Sequence, residues 1–168
     1  SFSFNFGADS GVAVGTGAIG SFNISSQVAE EDAVGSGAVG VVNYKLNTLT
    51  VSVVGGNPAN HPYYNVGSTN KFAIDGSTAT ADVTLDLVES NTYRFDQSDS
   101  SNSGHPLRFS TTPNGTHGGG SEYTTGVTTS GTPGSSGAYT EIEVATGAPT
   151  LYYYCTNHSA MGWTANTP

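Results

Sequence analysis

Apolar and polar positions alternate with a period of two through much of the chain, the mark of strands with one buried face. In SFSFNF, Phe2, Phe4 and Phe6 alternate with small polar residues. In ADVTLDLVE, Val83, Leu85 and Leu87 alternate with Asp82, Thr84 and Asp86, and in YTEIEVA Ile142 and Val144 alternate with Glu141 and Glu143. TLTVSVVGG, KFAIDG, HPLRFSTT and SEYTTGVTTSG are further β-type runs bounded by Gly, Asn, Pro or Ser. No window keeps a helical period beyond two turns. About seven strands over roughly 120 residues, at Greek-key spacing, predict an all-β sandwich.

The pattern divides the chain at residues 47/48. Before that point AVGTGAIGSFN and AVGSGAVGVVN form a near-repeat offset by 20 residues, each copy carrying G-x-G-x-x-G. No amphipathic helix follows either copy, so the dipole and amides of a phosphate site are missing and small-residue strand turns are expected instead. Residues 1–47 are expected to be an attachment or assembly segment, because an alternating Phe face at Phe2, Phe4 and Phe6 needs a partner surface. Residues 48–168 are expected to form the sandwich. Within it, the Gly-rich stretch Thr111–Gly137 predicts surface loops around one strand near Tyr123–Val127.

Composition narrows the function classes. Of 168 residues only 10% are charged, and the net charge is −9 with Lys45, Lys71, Arg94 and Arg108 as the only fixed cations. Four cations cannot track a phosphate backbone or hold an anionic lipid surface, so neither nucleic acid nor membrane is an expected partner. No apolar run reaches the ~20 residues that span a bilayer. The chain begins at Ser1 without an initiator Met, and it is expected to be a processed product or a piece of a longer protein. It lacks G-x-S-x-G and H-E-x-x-H, and four histidines are too few for a multicopper oxidase. An enzyme is not expected.

The one cysteine and the one methionine fall together in LYYYCTNHSAM. If LYYYC is a strand, Leu151, Tyr153 and Cys155 share one face, and the loop after it can turn His158 and Met161 back to the thiol. GHPLRFS offers His105 at the start of another strand, on the face of Leu107 and Phe109. His105, Cys155, His158 and a weak axial Met161 make up the donor set of a mononuclear type 1 copper site. The alternative is that the four residues pack one end of the sandwich without metal. His61 and His117 read as loop histidines, the three tyrosines as ordinary strand packing, and Asp96, Asp99 and Asn102 as a solvated turn rather than a calcium loop.

These residues resemble the cupredoxins, in which a first His on one strand is followed by an aromatic-x-Cys strand end and then by His and Met in the next loop. Here His105 and Cys155 are 50 positions apart and Cys155-x-x-His158 has the short spacing of plastocyanin-like members; Pro106 stands where many of them carry Asn. YRFDQSDSSNSGHPLRFSTTPNGTHGGGSEYTTGV and APTLYYYCTNHSAMG resemble, more narrowly, the cupredoxin-like module of virion proteins from marine tailed bacteriophages. That resemblance implies a structural or interaction protein on the virion surface, partnered by sister subunits, other virion proteins or a host-surface receptor, with copper as a possible cofactor. Two other readings stay open: a small extracellular or periplasmic copper electron carrier, and a filament subunit that donates its SFSFNF strand to a neighbour.

Overall fold

Ten short strands, two of which stop directly at a glycine (Gly55 after β1 and Gly131 after β7), make up the regular structure of the described residues. The computed structural model describes residues 46–77 and 83–168; Phe2, Phe4, Phe6, the near-repeat and Asp82 lie outside the described residues. The strands are β1 (Leu46–Val54), β2 (Lys71–Ile74), β3 (Leu85–Asp86), β4 (Thr92–Asp96), β5 (Leu107–Ser110), β6 (Glu122–Tyr123), β7 (Val127–Ser130), β8 (Tyr139–Glu143), β9 (Leu151–Cys155) and β10 (Thr164–Asn166). One sheet has the order β2-β1-β4-β8-β7 and the other β3-β10-β9-β5-β6. The chain crosses between sheets after β2, β3, β4, β6 and β8, which gives an all-β sandwich with Greek-key wiring.

Alternation places the core between the two sheets. Phe95 on β4 and Phe109 on β5 meet edge to face across them at 5.3 Å, within a cluster that includes Val51, Leu107, Ile142, Leu151 and Tyr153. Burying each such phenyl ring contributes about 2–3 kcal/mol. Ile142 and Val144 are buried as expected, while Glu143 between them is exposed. Leu151, Tyr153 and Cys155 share the core face of β9, and Tyr154 is also buried on its far side, where the ring lies beneath Gly115.

Two strand expectations are revised, and one strand is not expected at all. The strand expected near Tyr123–Val127 is broken by a turn closed by Val127 N–H donating to the Thr124 carbonyl at 3.1 Å, which separates β6 from β7. The run at Val83–Leu87 keeps Val83 and Leu87 buried but is a strand only at Leu85–Asp86, since it pairs with the short β10 alone. β10 itself carries no alternating signal; its place comes from antiparallel pairing with β9. The DQSDSSN segment turns as expected, but Asn102, expected in solvent, is buried. Asp99 caps Ser100–Asn102 by accepting from the Ser101 amide at 2.9 Å, and the buried Asn102 side chain donates to the Val51 carbonyl at 2.7 Å.

Candidate metal centre

Strand register brings the thiol and the first imidazole to one end of the sandwich. β5 and β9 are antiparallel with Leu107 opposite Cys155, and Thr156 N–H donates to the Pro106 carbonyl at 3.1 Å, one step beyond the ladder. His105 precedes Leu107 by two positions and therefore lies on the same side of its strand. The following loop then returns His158. Both imidazoles turn Nδ1 to the sulfur, each 3.8 Å from Cys155 Sγ, and their ring centroids are 4.5 Å apart. All three donor atoms lie within 4.8 Å of one another. This group could hold a metal ion.

The spacing fits a bound ion. Bonds of about 2.0–2.1 Å to nitrogen and about 2.3 Å to sulfur span that separation at an N–metal–S angle of about 120°. Among the described residues no further His, Cys, Asp or Glu joins the three. Cys155 and His105 are buried, whereas His158 is exposed at the rim. Met161, three positions beyond His158, is fully buried in the cluster that also contains Cys155.

Three side chains from other segments and one from the ligand loop itself hold the ligand-bearing backbone. Gln97 brackets the first ligand: its Nε2 donates to the His105 carbonyl at 2.9 Å, and its Oε1 accepts from Leu107 N–H at 3.0 Å. Asn157 Nδ2 donates to the Gly104 carbonyl at 2.9 Å, tying the two ligand loops together. Asn114 accepts from Ala160 N–H at 2.6 Å, and the Lys71 ammonium donates to the Ala160 carbonyl at 2.6 Å.

Two histidines depart from the plain loop role that their sequence surroundings suggest. His117 Nε2–H donates to the carbonyl of Cys155 at 3.1 Å, and the ring meets Tyr154 edge-on. His61 is buried rather than solvated. No sequence signal marks Gln97, Lys71 or His117, because each acts on a backbone carbonyl that only the fold brings near.

Burial favours the metal-binding form at His105 and opposes it at Cys155. Burial, and then the neighbouring His158, hold the His105 pKa below the ordinary imidazole value, so the ring is neutral and free to ligate at pH 7. Burial pushes the Cys155 thiol up, while backbone N–H groups of Asn157 and His158 aimed at the sulfur act in the opposite direction. Metal binding here must therefore displace a thiol proton, and two amides are already placed to stabilise the thiolate.

No family model, curated protein or solved structure matches this chain.

Proposed function

We propose that this chain is a non-enzymatic, cupredoxin-like module that binds one copper ion through His105, Cys155 and His158, with Met161 as a weak axial ligand. The observation that carries the reading is the triangle of one sulfur and two Nδ1 atoms, 3.8 Å along each sulfur edge and closed within 4.8 Å. Two imidazoles and a thiolate in a trigonal set, with a thioether rather than a fourth strong donor, suit copper better than zinc, which favours four strong ligands in a tetrahedron. Bound there, copper supplies one-electron redox chemistry, and the chain's part is to fix the donors and exclude water from the sulfur.

Titrating the metal-free protein with copper(II) is expected to produce an intense visible thiolate-to-copper absorption that saturates at one ion per chain. Its absence at full occupancy would end the copper reading.

The setting we propose is a virion surface, where the module serves as a structural or interaction element beside sister subunits, other virion proteins or a host receptor. This rests on the resemblance to phage modules and on the attachment idea for Phe2, Phe4 and Phe6. Antibody raised against residues 48–168 is expected to decorate intact phage particles in electron micrographs; particles that carry the protein but stay unlabelled would refute surface display.

A second reading, electron transfer, is favoured by one feature. Exposed His158 stands beside a loop carrying Tyr64 and Val66, which are 46% and 52% exposed. That loop joins the His158 loop through Ser68 N–H donating to the Ser159 carbonyl at 3.0 Å. Reversible voltammetry of the copper-loaded protein separates a carrier from a structural site.

A further inference from the structure

Lys71, the first residue of β2, buries a whole side chain, and its ammonium has no carboxylate partner among the described residues. It donates instead to three carbonyls, those of Val66 at 3.0 Å, Ser68 at 2.5 Å and Ala160 at 2.6 Å. The first two belong to the loop 57–68 and the third lies between His158 and Met161. Charge-assisted bonds of this kind are roughly twice as strong as neutral ones. The two loops also touch directly: a Cβ on Gly67 would stand 2.6 Å from Ser159 Oγ and 2.8 Å from Ala160 Cβ. Ala160 adopts φ 60°, a left-handed conformation that costs an L-residue of this type stability unless its surroundings impose it. Lys71 on its carbonyl and Asn114 on its amide impose it.

His61 sits in the same loop and is 2% exposed. Its Nδ1 accepts from Tyr63 N–H at 3.0 Å, so that nitrogen must be bare, and its buried Nε2 has no hydrogen-bond partner. A second proton would have to go on Nδ1, against an N–H donor. The titratable groups facing the ring are Tyr63, stacked at 6.0 Å, and Lys71, whose charge opposes protonation.

We infer that His61 and Lys71 form an acid-sensitive latch that fastens the loop 57–68 to the metal-ligand loop and releases it when the imidazole is protonated. The latch stands on contacts of the metal-free chain; its effect on a bound ion, loosening the His158–Met161 segment, rests on the copper reading. Burial first, and Lys71 second, lower the His61 pKa from 6.5 to about 4. A depressed pKa means that the stabilisation is complete above about pH 6.5, the ordinary histidine value, and is lost as the pH falls toward the folded-state value. Across that window the opening equilibrium rises by about 10²–10³-fold.

The only tryptophan reports on it, since Trp163 packs edge-on to Tyr63 at 5.0 Å. In the metal-free full chain, Trp163 emission is expected to shift as the pH is lowered from 7.5 to 4 while the far-ultraviolet sheet signal holds. The shift should vanish in His61→Gln. An emission flat with pH in the parent, or a shift retained in His61→Gln, would overturn the latch. Proton NMR of the parent gives a test that no variant's folding can spoil: His61 should titrate well below the ordinary histidine range, and a midpoint near 6.5 would overturn it equally. Because no step uses metal, a failed copper titration leaves this test intact.

Discussion

Cys155→Ser is expected to abolish the visible thiolate-to-copper band while leaving the sandwich folded. The substitution keeps the shape of the side chain but replaces sulfur by a hydroxyl that does not ionise near neutral pH. Ligand-to-metal charge transfer of this kind needs a thiolate, so the band should be absent at any copper concentration rather than merely weaker. Affinity should fall by more than the 10–100-fold that loss of an outer-shell partner costs, because a primary soft donor is removed. Stability should change by only about 1–3 kcal/mol, since a buried hydroxyl costs that much when unpaired and here two Nδ1 atoms stand ready to accept. Visible absorption and a thermal melt of the same sample read both parts. A band of parental strength in the serine variant would mean that copper colour arises elsewhere, and the proposed site would be lost with it.

The sandwich and the ligand triangle are legible in the sequence because both depend on short-range rules. Alternation places Ile142, Val144, Leu151 and Tyr153 in the core, and the same period puts Cys155 at a strand end with His158 three positions on. His105 is reachable because a strand start beside Gly104 is a natural neighbour for another strand's end, and the Leu107–Cys155 register makes it one. Contacts that depend on folded backbone leave no such trace. Lys71 opens a β-type run with nothing in the sequence to mark it for burial, yet it ends fully buried on three carbonyls. His117 sits in a Gly-rich stretch with no apolar anchor, and only the turn over Tyr154 carries it to the Cys155 carbonyl. The tie between the ligand loops comes from Asn157 rather than from the residue after His105, so a search by position overlooks it. A polar tripeptide such as Thr164–Asn166 has no periodicity to read, and its strand character is conferred by its neighbours.

Gly162→Ala is expected to cost far more stability than Cys155→Ser, about 4–5 kcal/mol or outright failure to fold. The reason is contact rather than backbone freedom. A Cβ at this position would overlap the Tyr153 carbonyl oxygen and lie 2.7 Å from its carbon and 2.8 Å from the ring's Cδ2. A flexible side chain could swing away, but a carbonyl of a central strand cannot: β9 is held by β5 on one side and β10 on the other. Tyr153 N–H also donates to the Trp163 carbonyl at 3.0 Å, so moving the chain at 162 breaks the bond that returns it to the sheet. Relief therefore requires displacing the end of β9, two residues from the thiol, together with the segment that carries Met161. Gly137→Ala is the control. Its φ of 76° imposes strain, but nothing lies within 4 Å of the added Cβ, so the loss should stay near 1–2 kcal/mol. Denaturant unfolding of both variants checks the ranking. Equal losses would mean that β9 tolerates displacement at Tyr153, and a site whose donors depend on that strand's position would then have no fixed geometry to offer an ion.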